Sequence, residues 1–110
     1  MAEVPELDPA EVADRLARGE VRAIDVREPE EWDAGRIAGA SHVPLGDLVT
    51  RWAEVEAAAP VAFVCRSGAR SALATEAARR AGVEGFNLAG GMKAWAAAGL
   101  ALEPEDGRVA

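Results

Sequence analysis

The 110-residue chain has very few of the residues on which several common classes of protein depend. It has one cysteine and one histidine, so it can form neither an internal disulfide nor a metal centre of cysteine and histidine ligands. No apolar run approaches the roughly 18 to 20 residues of a membrane span. The first residues, Met-Ala-Glu-Val-Pro-Glu, lack the basic and apolar regions of a signal peptide. These absences predict a cytoplasmic protein without a metal, a cofactor or a membrane partner.

Positive charge is also scarce, because the chain has 12 basic and 19 acidic residues and therefore a net charge of −7. An acidic surface argues against nucleic acid and anionic membranes as partners. All but one of the basic residues are arginine, and the chain has one asparagine and no glutamine. Such a composition is typical of thermophile proteins, but a GC-rich genome biases codons in the same way. Both origins stay open.

Half of the residues are apolar, which predicts one globular domain over residues 1–110 and, we expect, a monomer. Residues 100–110 are mostly polar and are expected to form a frayed tail. Short apolar runs alternate with helical segments, which predicts an α/β fold with a parallel sheet. The predicted strands are 4–7, 21–26, 41–43, 61–64 and 85–88, and the predicted helices start after Asp8, lie near Trp32, lie within 45–59, cover 72–81 and follow Gly91.

The stretch around the single cysteine carries the clearest functional signal. Residues 61–64 form an apolar, β-branched run that predicts a buried strand. Residues 72–81 are mostly strong helix formers, and Gly82 follows them as a stop signal. Cys65 therefore lies where a strand ends and a helix begins. In an open parallel sheet, ligands bind beyond the carboxyl ends of the strands, so Cys65 is a candidate functional residue.

The residues after this cysteine suit an anion. Gly68 lets the backbone curl so that several N–H groups converge, and Arg66 and Arg70 each offer a planar guanidinium. Residues 57–75 contain no acid. This positive environment predicts a pKa of Cys65 below its usual range. An isolated cysteine is more often a buried structural residue, but adjacent arginines would make such a position costly. The predicted anion cradle is Arg66, Ser67, Gly68, Ala69, Arg70 and Ser71.

Four segments, in order along the chain, resemble the signatures of the rhodanese family of single-domain sulfurtransferases. They are residues 25–32, 35–45, 65–71 and 88–95. The resemblance implies a three-layer α/β/α fold with a five-stranded parallel sheet and the cysteine loop at its centre. It implies that Cys65 takes sulfane sulfur from a donor such as thiosulfate, becomes a persulfide, and passes the sulfur to cyanide, a thiol or an accepting protein. Loop amides would hold the outer sulfur, and Arg66 and Arg70 would orient the donor.

Several residues near these segments have weaker interpretations. Arg36 stands where the family often has histidine, which we expect to affect only local packing. Asp25 and Arg27 form either a supporting pair beneath the loop or ordinary surface charges, and both possibilities stay open. His42 is interpreted as structural rather than as a general base. The tryptophans are interpreted as core residues because each falls at helical spacing with other apolar residues; they are Trp32, Trp52 and Trp95.

Three alternative functions compete with sulfur transfer by a free enzyme. Cysteine phosphatases and arsenate reductases of related fold have five residues between cysteine and arginine, whereas four separate Cys65 from Arg70. The smaller ring fits one sulfur atom better than a tetrahedral oxyanion. A non-catalytic module, as many rhodanese-like domains are, usually lacks the cysteine. A carrier that delivers persulfide sulfur to a partner protein would use the same residues and stays open.

Overall fold

The computed structural model describes residues 4–110 and has a single parallel sheet. The strands are β1 (Glu6–Leu7), β2 (Arg22–Asp25), β3 (Ser41–His42), β4 (Val61–Val64) and β5 (Gly85–Leu88). The helices are α1 (Pro9–Ala17), α2 (Pro29–Ala34), α3 (Trp52–Ala58), α4 (Ala69–Arg80) and α5 (Gly91–Ala97), with a 3₁₀ turn at Leu45–Asp47. The strand order is β1-β5-β4-β2-β3, and every neighbouring pair is parallel. The predicted α/β fold with a five-stranded parallel sheet is confirmed.

Strand β4 lies at the centre of the sheet and divides two apolar clusters. All four of its residues are buried, as expected for a central parallel strand with helices on both faces. Val61 and Phe63 belong to one cluster with residues of α3 and α4, and Ala62 and Val64 to the other with residues of α1 and α5. This alternation follows from the two-residue period of a strand. The helices therefore form two outer layers around the sheet.

Local signals explain where α1 and α3 begin. Asp8 caps α1 by accepting the N–H of Glu11 at 2.8 Å, and proline follows at the first helical position. The helix predicted within 45–59 is shorter, because a 3₁₀ turn comes first and α3 starts at Trp52. The intervening Val49 and Thr50 are β-branched and weak helix formers.

No helix in the described part of the chain is long and apolar enough to cross a membrane.

The segment after α5 differs from the frayed tail that the sequence suggested. Glu103 and Arg36 exchange two backbone hydrogen bonds of 2.7 and 2.9 Å, and the Arg108 N–H donates to the Ala34 carbonyl at 2.9 Å. The physical reason is that apolar residues within this polar segment pack on the core cluster that contains α1 and α5; they are Leu100, Leu102 and Val109. The segment therefore packs beside the end of α2, and Ala110 lies close enough to the cysteine loop to accept a hydrogen bond from Arg66.

Candidate active site

Cys65 lies directly after β4 and is 1% exposed. Gly68 ends the loop with φ of +107°, a left-handed conformation that strongly favours glycine, and α4 starts at the next residue. This turn directs the Gly68 N–H toward the sulfur, with 3.0 Å between N and Sγ. The Ser71 hydroxyl oxygen approaches the same sulfur at 3.2 Å from the first turn of α4. The sulfur is thus held in a small buried site at the start of a helix.

The polar contacts at the sulfur favour its thiolate form. Burial raises the pKa of the Cys65 thiol, but hydrogen bonds from the Ser71 hydroxyl and from the amides of Ser71, Gly68 and Ser67 together outweigh it. The pKa therefore lies below its ordinary value, in the predicted direction. The predicted amides at the helix start act as expected and are joined by the Ser71 hydroxyl, whereas neither Arg66 nor Arg70 is among the main causes.

Arg70 does not extend free into the cradle but binds a carboxylate. Its two terminal nitrogens lie 2.7 and 2.8 Å from the two Glu31 oxygens, in a bidentate pair between α4 and α2. Hydrogen bonds from Arg70 lower the pKa of Glu31 to about 2, so this carboxylate is charged over the working range of most proteins. The expected anion-binding fork of Arg70 is thus occupied by a residue of the protein itself. The sequence offered no local signal for this pair because 39 residues separate its members.

Arg66 remains at the surface of the loop. Its Nε donates to the Ala110 carbonyl at 2.9 Å. Ser67 and Ala69 are also exposed, whereas Gly68 and Ser71 are buried. Of the predicted cradle, the structure therefore brings Gly68 and Ser71 directly to the sulfur and leaves Arg66 at the rim.

The start of α5 fixes the other side of the loop backbone. The Met92 N–H donates to the Cys65 carbonyl at 2.8 Å, and the Lys93 N–H donates to the Arg66 carbonyl at 3.0 Å. Gly91 precedes them with φ of +61°, and a Cβ there would collide with the Cys65 carbonyl oxygen. The glycine pair at 90–91 therefore allows two backbones to meet closely, so that the Cys65 and Arg66 carbonyls receive hydrogen bonds from the start of α5.

Asp25 and Arg27 form a buried pair rather than surface charges. Their side chains are 1% and 0% exposed, with Arg27 Nε 2.9 Å from Oδ1 and Nη2 2.8 Å from Oδ2 of Asp25. Arg27 Nη2 also donates to the Gly35 carbonyl at 2.8 Å, whereas its Nη1 has no hydrogen-bond partner within residues 4–110. The pair joins the end of β2, which neighbours β4, to the end of α2. It supports the frame of the loop without touching the sulfur.

His42 and Arg36 both pack against the Trp32 indole. His42 Nε2 lies 2.7 Å from the Arg27 carbonyl oxygen, so this nitrogen carries the proton and donates. The His42 ring stacks on Trp32 with 4.8 Å between centroids. Arg36 lies over the same indole and donates to the Trp32 carbonyl at 3.2 Å. These contacts agree with a structural role for His42 and with a local packing role for Arg36.

Sequence reasoning missed Asn87, which lies on β5 and is 2% exposed. Its Oδ1 accepts from the Ser71 hydroxyl at 2.6 Å, and its Nδ2 donates to the Gly68 carbonyl at 3.1 Å. Nδ2 also lies 3.2 Å from a carboxylate oxygen of Glu6 on β1. The only available signal was that Asn87 is the single side-chain amide of the chain. It links the cysteine loop to the far edge of the sheet.

Comparison with known proteins places this geometry in a family. The sequence profile of the rhodanese-like domain matches residues 8–98. The uncharacterized protein YqhL of Bacillus subtilis is 40% identical over 82 residues, which cover 74% of this chain and 65% of YqhL, less than two thirds of that relative. A sulfurtransferase of Allochromatium vinosum is 36% identical over 106 residues, covering 94% of this chain and 99% of that protein. The structure of a rhodanese-related protein from Thermoplasma volcanium superposes with a TM-score of 0.82 at 28% identity, covering 89% and 96% of the two chains.

Proposed function

Because the chain belongs to the rhodanese-like domain family, we propose that it is a sulfurtransferase in which Cys65 carries sulfane sulfur as a persulfide. The donor would be a small molecule such as thiosulfate, and the acceptor cyanide or a thiol. The observation that carries the proposal is the set of hydrogen-bond donors at the Cys65 sulfur. The Gly68 N–H lies 3.0 Å and the Ser71 hydroxyl 3.2 Å from Sγ. Such donors stabilise a thiolate and would equally stabilise the terminal anionic sulfur of a persulfide.

The reaction takes two displacements at sulfur. In the first, the Cys65 thiolate attacks the outer sulfur of thiosulfate, the S–S bond of thiosulfate breaks, and sulfite leaves with the electron pair. In the second, cyanide attacks the outer sulfur of the persulfide, thiocyanate leaves, and the thiolate returns. Both attacking groups are already anions, so the cycle needs no general base. The chain contributes by holding negative sulfur near the amides of Ser67, Gly68 and Ser71 at the start of α4.

Persulfide formation gives the direct test of this proposal. Reduced protein incubated with thiosulfate should gain the mass of one sulfur atom, and cyanide should remove it with the release of one thiocyanate. Intact mass spectrometry measures both steps. Protein whose Cys65 has first been alkylated is the control and should gain nothing. An unchanged mass with thiosulfate and with other sulfane donors would contradict the proposed function.

Arg66 is expected to act on substrate binding rather than on the chemical steps. It lies at the rim of the site, and the Ala110 backbone oxygen that it contacts could be replaced by an incoming anion. Arg66→Ala should raise the KM for thiosulfate about tenfold and leave kcat nearly unchanged. Steady-state kinetics at several thiosulfate concentrations separate the two constants. The matched control is Arg80→Ala at the far end of α4, where the guanidinium pairs with Glu76 at 2.7 Å and should affect neither constant. A loss confined to kcat would contradict this role of Arg66.

The phosphatase alternative finds little support in the structure. An oxyanion-binding loop needs an arginine fork free to hold phosphate oxygens. The guanidinium of Arg70 is instead bound on both terminal nitrogens by Glu31, so it is not free to hold phosphate oxygens. A carrier role, in which a partner protein takes the persulfide sulfur, uses the same cysteine chemistry and remains part of the proposal for the acceptor side.

A further inference from the structure

The Ser71 hydroxyl lies between two acceptors but has a single proton. Its oxygen is 2.6 Å from Asn87 Oδ1 and 3.2 Å from Cys65 Sγ. Ser71 is fully buried and Asn87 is 2% exposed, so water has little access to either group. At any moment the hydroxyl can donate to one of these acceptors and not to both.

The orientation of the Asn87 amide is fixed by its other contacts. Nδ2 faces the Gly68 carbonyl at 3.1 Å and a Glu6 carboxylate oxygen at 3.2 Å, and both of these groups only accept hydrogen bonds. The reverse orientation would place the amide oxygen against two other oxygens. Oδ1 must therefore face Ser71 and can only accept from it.

Two arrangements of the hydroxyl follow from this geometry. When Cys65 is a thiol, Ser71 donates to Asn87 over the shorter distance, and the thiol proton can point to the Ser71 oxygen. When Cys65 is a thiolate, its proton has gone to solvent and the hydroxyl turns to donate to the sulfur. The second arrangement leaves Asn87 Oδ1 buried without its donor, which carries a free-energy cost.

We propose that Asn87 is a positioning residue that competes with the Cys65 sulfur for the Ser71 hydroxyl proton and thereby opposes formation of the thiolate. The proposal rests on the proposed function in one respect, that Cys65 is the reactive nucleophile. Asn87 is separated from the sulfur by the serine, so it acts through Ser71 and not on substrate. The site would then combine amides that favour the thiolate with a buried acceptor that restrains it.

The variants that test this idea add no charged residue and remove none around the sulfur. Arg70 of α4 faces the site with Glu31 of α2 bound to it, and Arg66 lies at the rim. Glu6 of β1 lies beyond Asn87, and the internally paired Asp25 and Arg27 lie at the end of the neighbouring strand β2. A change in the titration of Cys65 on substitution of Asn87 therefore reports the serine contact and the loop, not a new charge.

The test replaces the acceptor and measures how fast the thiol is alkylated as pH changes. Asn87→Leu keeps a similar size but has no acceptor, so Ser71 should donate to the sulfur alone. The midpoint of the alkylation profile should fall, and the rate below both midpoints should rise about tenfold. If Asn87 were purely structural, the midpoint would rise instead, because losing the contact to the Gly68 carbonyl would loosen the loop and weaken its amide donors. A midpoint that rises in Asn87→Leu overturns the proposal.

A protein without the Ser71 hydroxyl is the matched control for the Asn87 substitution. In a Ser71→Ala protein, Asn87→Leu should not accelerate alkylation, since no shared proton remains. Equal acceleration with and without the Ser71 hydroxyl would overturn the competition. Thermal unfolding of all four proteins identifies any variant that has not folded.

A measurement on the unaltered protein does not depend on how well the variants fold. The ¹³C resonance of the Asn87 side-chain carbonyl should move with the same midpoint as the Cys65 thiol, because its hydroxyl donor leaves when the thiolate forms. In Ser71→Ala this movement should disappear. If the chemical shift of this Asn87 resonance does not change as the thiol of the unaltered protein ionises, the proposal is overturned. None of these readouts uses sulfur transfer, so a failure to form the persulfide would count against the proposed function alone.

Discussion

Cys65→Ser is expected to reduce sulfur transfer by a factor of at least about a thousand, the loss typical of removing a nucleophile. A serine hydroxyl at this position would stay protonated, because a hydroxyl ionises much less readily than a thiol. The same hydrogen-bond donors therefore stabilise a thiolate at residue 65 but do not produce an alkoxide. The variant should gain no mass with thiosulfate and should form thiocyanate only at the rate of the uncatalysed mixture. The exchange changes one buried atom of similar size, so the midpoint of thermal unfolding should move little.

The matched control for this variant is Ser67→Ala. It also alters one side-chain heteroatom of the same loop, but Ser67 is exposed and the lowering of the cysteine pKa depends on its backbone amide. Ser67→Ala should therefore keep most of the activity. If Cys65→Ser retained thiocyanate formation comparable to that of Ser67→Ala, the sulfur would not pass through Cys65 and the persulfide mechanism would be wrong.

Arg27→Met is expected to lower the free energy of unfolding by about 3–5 kcal/mol, the cost of leaving one member of a buried ion pair alone. Methionine fills much of the same volume, so the loss comes from the Asp25 carboxylate, which is 1% exposed and would have no cation beside it. The Gly35 carbonyl would also lose a donor. Urea unfolding at neutral pH, followed by tryptophan fluorescence, measures the change.

A surface pair provides the control for this prediction. Asp14 of α1 and Arg18, which caps the end of that helix, lie 2.6 Å apart but are 61% and 57% exposed, so Arg18→Met should cost less than about 1 kcal/mol. The double variant Asp25→Leu with Arg27→Met removes both buried charges and should recover part of the loss. A cost for Arg27→Met as small as that for Arg18→Met would show that the buried pair does not stabilise the fold.

The parts of the fold that were predictable from sequence depend on signals within a few residues. The apolar run before Cys65 and the helix formers after it are such signals, and they correctly indicate β4, the loop and α4. Helix α4 begins three residues earlier than predicted, since Gly68 already turns the chain into it. The capping sequence Asp8-Pro9 likewise identifies the start of α1. In each case neighbouring residues determine the local backbone conformation, so tertiary contacts were not needed.

The parts of the site that were not predictable join residues far apart along the chain. The sequence indicates a positive loop but cannot show that Glu31 binds Arg70, nor that Asn87 shares Ser71 with the sulfur. The lowered pKa of Cys65 was therefore predicted in its direction and in the contribution of the loop amides, but the sequence pointed to the arginines where the Ser71 hydroxyl contributes instead. The segment after α5 shows the same limit, because Leu102 and Val109 are single apolar residues whose partners appear only in the folded core. Local pattern identifies candidate residues, and tertiary contacts decide their roles.

The pairing of β1 with β5 has a consequence for biosynthesis. Glu6 lies opposite Asn87 in the sheet, and 81 residues separate them. At a translation rate of about 5–20 residues per second, the first strand waits roughly 4–16 s on the ribosome before its partner is made. During that time β2, β3 and β4 can pair, yet the hydrogen bonds from Glu6 through Asn87 to Ser71 do not exist. Cys65 of a nascent chain therefore receives its final hydrogen-bonding environment among the last events of folding.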